Sequence, residues 1–458
     1  MAVLLMAVSA ILSSCSDELE QMQKQELPSP QKKVWTISIN AGKTENTSTR
    51  GVFTDDEGTS LKTKWYGTEA FTVSYGGNDV GTVTATASET ASTTLVGELD
   101  DAEYVVEGIL TLTPTAIVDY SGQTGTIESM STKDFLNETT VTINSVGESN
   151  KLVTTAACFT RRQSFIKFAF DQNISSVEIS AIGLIGSPLT ITPASARNTI
   201  YVALSNTNEN KQIYKLNIGS KEGKLAAKIE NGVYYSSPTI VLAIPPAYGN
   251  AYYSDGTWGN NPHSSGATII GMVCYAGNET GVDGYYRGLV MALTDAATNI
   301  SWSDDVDNEC LLTQCSTIAI AESDMDGKTN TDMLLADGHS HPAASAAKNY
   351  TPIAPNSSSG WFLPSSGQWA IFLESQGAHF TRFDNWVGTS TYSNIKSALD
   401  AVSGTMLRTS GQPGSYWSSS EYSSSNAIDF PFILNYSVSM DNRTKAANYN
   451  CVRSFLAF

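Results

Sequence analysis

The sequence predicts a multidomain chain in which two all-β antiparallel sandwiches precede an α+β module. Residues 34–248 repeat the period-two alternation of half-buried strands, and Gly/Asn turn signals separate those runs. After Ile244-Pro245-Pro246 the pattern changes to aromatic, Gly, Ser and Asn patches with helix-capping signals. The 458 residues leave room for about three domains, and 41% hydrophobic against 16% charged residues is enough to fill cores.

Trp35, Ile37 and Ile39 alternate with Thr36, Ser38 and Asn40, which puts one face of a first strand, Val34 to Asn40, in a core. The same alternation recurs at Phe71/Val73/Tyr75, Val141/Ile143, Ile166/Phe168/Phe170, Val177/Ile179 and Ile200/Val202/Leu204. Tyr75-Gly76-Gly77-Asn78 and Glu230-Asn231-Gly232 supply the positive φ values of tight turns. The pattern breaks near Cys158, and two prolines end the last strand before residue 249.

In the final 200 or so residues, His341-Pro342 followed by Ala343 to Tyr350 reads as a short helix. Ser365 to Gly377 reads as a capped helix with a terminal glycine, and Ser393 to Val402 as another. Strands are expected at Ile269 to Val273 and Ala427 to Leu434.

The net charge is −18, and no basic run opposes it. Nucleic-acid binding, which needs phosphate neutralisation, is therefore not expected. Four His and six Cys are present without a CxxC or HExxH arrangement, so no familiar metal or redox motif stands out, and no cofactor is expected. Asp324, Asp326 and Asn330 resemble part of a calcium loop, but a solvated Asp-Gly turn is the favoured reading. His339 and His341 share a face if extended, with no third ligand in view. Cys310 and Cys315 are near enough in sequence to pair. A buried thiol is equally plausible for Cys158, which sits in an apolar context, and the disulfide pairing of Cys158, Cys274, Cys310, Cys315 and Cys451 is left open.

Residues Ala2 to Leu12 form an apolar run too short to span a bilayer. With Leu12-Ser13-Ser14-Cys15 it resembles the signal and lipobox of bacterial lipoproteins, although no basic residue precedes it. That resemblance implies a signal peptide over 1–14, a lipid on Cys15, a polar tether over 15–33 and an exported, outer-membrane, cell-surface location.

The next matches are a strand at Val34 to Asn40, Ser48-Thr49-Arg50-Gly51, then Trp65 and Phe71-Thr72-Val73. Phe159-Thr160-Arg161-Arg162 leading into Phe165 to Phe170, and Thr239 to Pro246, follow in order. Together they resemble the fimbrillin family of fimbrial (type V pilus) lipoproteins. The resemblance implies transthyretin-like, Greek-key sandwiches at 34–157 and 158–248. It also implies cleavage by an arginine-specific protease at Arg50-Gly51 and loss of the strand bearing Trp35, Ile37 and Ile39. A neighbouring subunit then donates a strand into the vacated groove.

Residues 249–458 carry Tyr252 to Trp258, Gly360-Trp361-Phe362-Leu363-Pro364-Ser365 and Tyr416-Trp417-Ser418-Ser419-Ser420-Glu421. With Cys451-Val452-Arg453-Ser454-Phe455 these resemble C-type-lectin-like modules, kin to the formylglycine-generating-enzyme fold. Trp361, Trp369 and Trp417 are expected to anchor core and loops. Trp258, Tyr285, Tyr286 and Trp386 are the candidates for stacking on a surface glycan or protein ligand. Glu-Pro-Asn and Trp-Asn-Asp, the calcium-dependent sugar motifs, do not occur.

The resulting expectation is a non-enzymatic fimbrial subunit. Its last residues, Arg453 to Phe458, belong to the lectin-like module and offer no donor strand, which implies a tip adhesin. The alternative is a lipid-anchored surface lipoprotein that binds glycan or protein and never polymerises.

Overall fold

The computed structural model describes residues 33–43, 64–207, 212–260, 266–304, 311–387, 389–409, 414–433 and 437–458. Their regular structure is mostly strand, with six short helices. They form two compact units. The first draws on Met1–Asp119, Met130–Phe165 and Glu230–Tyr234, the second on Tyr120–Ser129, Ile166–Ile229 and Tyr235–Phe458.

The first half of the chain contributes β1 (Trp35–Lys43), β2 (Trp65–Tyr66), β3 (Ala70–Tyr75), β4 (Asn78–Ala85), β5 (Ser88–Thr90), β6 (Ser92–Leu99) and β7 (Ile109–Pro114). Helix α1 (Ile127–Ser131), β8 (Thr139–Val146), β9 (Lys151–Thr154) and β10 (Ala157–Phe159) follow.

Eight of these strands form one sheet in the order β10-β1-β6-β4-β3-β7-β8-β9, and an additional β1–β9 pairing closes it on itself. The neighbours are antiparallel except at β1, which runs parallel to β9 and β10. Purely antiparallel pairing, expected from sequence, therefore fails at this seam. Period-two patterning fixes which face is buried but not which strand lies alongside. Gly76 and Gly77, at φ 58° and 83°, make the tight β3–β4 turn that Cβ-bearing residues would strain.

Alternate residues of each strand meet inside: Trp35, Ile37 and Ile39 with Phe71, Val73, Val83, Leu95, Leu110, Leu112, Val141, Ile143 and Leu152. Phe71 stacks on Phe159 at 4.5 Å, and Trp65 meets Phe159 edge-on at 5.8 Å. Cys158, for which a buried thiol is one of two readings open in the sequence, is exposed. It lies between inward Ala157 and Phe159 on β10, so the same alternation turns it outward.

Next come β11 (Gln163–Ile174), β12 (Val177–Ser180), β13 (Leu189–Ile191), β14 (Arg197–Ser205), β15 (Gln212–Ile218), β16 (Lys221–Ala227) and β17 (Tyr234–Ile240). They make a three-stranded sheet, β14-β11-β17, and a four-stranded one, β13-β12-β15-β16.

Beyond them come β18 (Ala251–Tyr253), β19 (Trp258–Gly259), β20 (Ile269–Ala276), β21 (Gly288–Ala292) and β22 (Ala297–Ile300). Five helices follow: α2 (Ile318–Ser323), α3 (Gly327–Ala336), α4 (Pro342–Lys348), α5 (Ser366–Ser375) and α6 (Thr389–Ala401). The last strands are β23 (Ser415–Glu421), β24 (Asn426–Pro431), β25 (Asp441–Thr444), β26 (Asn450–Val452) and β27 (Phe455–Ala457). Two five-stranded sheets result, β19-β18-β20-β21-β27 and β22-β26-β23-β24-β25.

Helix α5 is the packing centre. Ser365 and Gln368 form its capping box, which satisfies two orphan N–H groups. Trp369 is fully buried against Phe430 of β24 (5.6 Å), Tyr416 of β23 (5.8 Å) and Phe455 of β27 (5.0 Å).

The Asp324 to Thr331 stretch, expected as a solvated turn, instead ends α2 and opens α3. Asp324 accepts from Ser420 Oγ at 2.5 Å and from Asn330 Nδ2 at 3.2 Å, so buried polar partners replace water. His339 and His341 do not lie on an extended segment. His341 precedes α4, buried, 2.9 Å from Asp337, while His339 is exposed.

Replacing Trp369 by alanine empties the centre of an aromatic cluster and is expected to cost about 3–5 kcal/mol. Urea unfolding of the variant measures this; a loss under about 1 kcal/mol would contradict the packing role.

Candidate functional site

Strand β1 carries the three residues expected to leave with the first strand. Its burial strictly alternates over Trp35, Ile37, Ile39, Ala41 and Lys43, so five inward side chains face the core and the intervening residues face outward. On one side it pairs antiparallel with β6, from Trp35↔Leu99 to Gly42↔Ser92. On the other it runs parallel to β9 at Thr36↔Lys151 and Ile37↔Leu152, then to β10 from Ala41↔Ala157 to Lys43↔Phe159.

Trp35 meets Tyr104 edge-on at 5.3 Å, and the Lys33 ammonium lies 4.0 Å from its ring. Burying Trp35, Ile37 and Ile39 contributes about 1.5–3 kcal/mol each. Without β1, those pockets and two rows of backbone donors and acceptors stand open.

The three residues expected to leave with the first strand thus sit together on one inward face. Cys15, Arg50, Gly51 and Cys310 lie outside the described residues. Lys43 extends the strand beyond the expected end at Asn40, and it continues the spacing 35, 37, 39, 41.

The four ligand-stacking candidates divide into two places. Trp258 is half-buried: its Nε1 donates to the Ile244 carbonyl at 2.9 Å, Phe458 packs at 5.1 Å, and the Arg287 guanidinium lies 5.2 Å from its ring. Arg287 also donates to the Val241 carbonyl at 2.8 Å, and Lys224 to that of Tyr286 at 2.7 Å. Trp258, Tyr285 and Tyr286 therefore gather where residues 241–244 join the sheet of β18 to β21, and Trp258 is engaged by its own chain.

Trp386 lies elsewhere, 44% exposed, beside the Val387↔Val438 bridge. Two residues before it, Asp384 has φ 60° and donates its N–H to the Met440 carbonyl at 3.1 Å. Burial, followed by a hydrogen bond with Asp384, pushes the Asp441 carboxyl up to about 6. Asp441 therefore keeps its proton to higher pH than an ordinary aspartate. No motif announces this pair, because the two aspartates are far apart along the chain.

The terminal motifs are structural. Trp361, Trp369 and Trp417 are buried. Glu421 takes Lys445 at 2.6 Å, and Arg453 pairs with Asp295 at 2.7 Å. Burial is the leading cause that pushes the Cys315 and Cys451 thiols up to about 12, with Asp324 and Asp295 adding respectively, so both stay protonated at neutral pH. Among the described residues no cluster of His, Cys, Asp and Glu has metal-binding arrangement.

No protein-family model matches the sequence, and no curated protein matches it. Among solved structures, a fimbrial protein from Bacteroides ovatus is 14% identical, covering 93% of this chain and 100% of its own, with a TM-score of 0.34. A Parabacteroides distasonis protein assigned to cell adhesion is 9% identical, covering 46% and 92%, at TM-score 0.24. The tip fimbrial protein Mfa3 from Porphyromonas gingivalis is 8% identical, covering 43% and 83%, at 0.22. Likenesses this distant assign neither a fold nor a role.

The ordinary value for Asp441 is 3.8 and the folded value about 6, so the folded protein holds an extra proton between those pH values. The stability this contributes is fully present below about pH 4 and is lost as pH rises through 6. Carboxyl NMR titration checks it: Asp441 should titrate near 6 and move toward the ordinary range in Asp384→Asn. A wild-type value near 4 would remove the pair.

Proposed function

We propose that this chain is a fimbrial subunit whose first strand is a removable plug, replaced during assembly by a strand from a neighbouring subunit. The carrying observation is that β1 turns its whole inward face into the core of a closed sheet while joined to that sheet along both edges. A strand in that position leaves a groove another extended segment can fill, restoring backbone hydrogen bonds and apolar burial together.

In this reading Arg50-Gly51 is the cleavage point, export proceeds through a lipid on Cys15, and the mature subunit sits at the cell surface. The division at 158 and 249 into two sandwiches and a lectin-like module belongs to the same proposal.

The subunit's place is the fibre tip. Strand β27 is part of the fold of residues 249–458: it pairs with β21 from Leu289↔Ala457 to Met291↔Phe455, and Phe455, Leu456 and Ala457 are fully buried. Donating it would dismantle the core around Trp369. At the tip, residues 249–458 present the adhesive surface, with Trp386 its most exposed aromatic candidate. Exposure of Trp386 equally favours the second reading, a surface lipoprotein that binds a glycan or protein without polymerising.

N-terminal sequencing of the surface-exposed form, with immunogold labelling of fibres, separates the readings. A chain beginning at Gly51, found at fibre ends and lost in Arg50→Ala, is expected. A monomer retaining Cys15 and β1 would overturn the fimbrial reading, and label along the shaft would overturn the tip position.

A further inference from the structure

Lys43 closes β1 on its inward face, and its side chain is only 1% exposed. Its Nζ donates to Asp134 Oδ2 at 3.0 Å, Glu69 Oε1 at 3.3 Å and the Lys64 carbonyl at 2.8 Å, and it lies 4.9 Å from the Trp65 ring centroid. Around it the framework is already braced. Asp134 Oδ1 accepts from Arg161 Nε at 2.7 Å and from Gln163 Nε2 at 2.9 Å. Glu69 accepts the Tyr66 N–H on both oxygens, at 2.9 and 3.1 Å.

The cluster balances two carboxylates, Glu69 and Asp134, against two cations, Lys43 and Arg161. Only Lys43 travels with β1. When β1 leaves, the end of the apolar groove becomes a fixed, net-negative pocket. A replacement strand that buries it without a cation leaves a carboxylate unpaired, the costly way to break a buried ion pair.

We infer that the groove selects its incoming strand by charge as well as by apolar pattern: it takes a segment with apolar residues at positions one, three and five, a small one at seven and a lysine at nine. The inference rests on the strand-replacement reading proposed above and names the chemistry of the partner.

Lysine fits better than arginine. An ammonium has three N–H donors, and three acceptors converge on this one point, two carboxylate oxygens and a carbonyl. A planar guanidinium spreads its donors over a wider fork.

The pocket also fixes register. A one-residue slip turns every apolar side chain outward. A two-residue slip keeps the faces correct and is opposed mainly here, because it withdraws the lysine from both carboxylates.

The full chain, nicked after Arg50 by an arginine-specific protease, is incubated in mild urea with fluorescein-labelled nine-residue peptides. One carries the sequence Trp35–Lys43 and others have Met, Glu or Arg in place of the final Lys; fluorescence anisotropy reads retention. The Lys peptide should be retained, the Met and Glu peptides bound on the order of 100-fold more weakly, and the Arg peptide between them. In Glu69→Gln protein, which keeps an acceptor for the Tyr66 N–H, the Lys-over-Met preference should shrink at least about tenfold.

Equal retention of the Lys and Met peptides would overturn the charge selection and leave strand replacement standing. Entry of no peptide, the β1 sequence included, would overturn strand replacement and this inference together.

Discussion

A sheet that closes on itself needs one strand whose two edges are satisfied by strands far apart in sequence. In this protein β1 holds that position, antiparallel to β6 on one side and parallel to β9 and β10 on the other. Most sheets leave edges to be covered or blunted. Closure removes them, and it concentrates the integrity of the core in one short segment. Trp35, Ile37, Ile39 and Ala41 serve as a wall of the core, and Lys43 neutralises its acidic end.

The strands after residue 414 follow the opposite logic. Strand β23 is buried along its whole length although most of its residues are polar. Its polar groups are matched one by one: Ser418 to the Ile428 carbonyl, Ser420 to Asp324, Glu421 to Lys445 and to the Leu312 N–H. Neighbouring Arg453 spends its guanidinium on Asp295 and on the carbonyls of Ala292 and Thr405. These partners tie β23 to its neighbours, while the buried Asp429 Oδ1, Ser439 Oγ and Asn450 Oδ1 find none among the described residues. An apolar closing strand on one side and a polar-bonded core on the other underlie the proposal that β1 is exchangeable.

Local signals are well represented in the sequence. The 35/37/39 alternation locates β1, the paired glycines locate the β3–β4 turn, and the Ser365/Gln368 spacing locates the start of α5. Pairing is not legible, because a strand's own pattern is the same whether its neighbour runs parallel or antiparallel. Lys43 escapes a sequence reading because a charged residue ends an apolar alternation to the eye, while inside it is stabilised by partners at 64, 69 and 134. Helices α2 and α3 escape it because Ile318–Ser323 is short, and Met333, Leu334 and Leu335 cluster without helical spacing. Trp258 has the look of a free platform because nothing in its vicinity along the chain announces Arg287 and Phe458.

Native-state hydrogen exchange of the intact chain addresses the β1 seam most directly. If β1 is a separable closing strand, its amides and their partners on β6 and β9 will exchange together through an opening of lower free energy than global unfolding, while β3, β4 and β7 stay protected. Exchange of β1 only at the global unfolding free energy, in step with β3 and β4, would contradict a detachable strand.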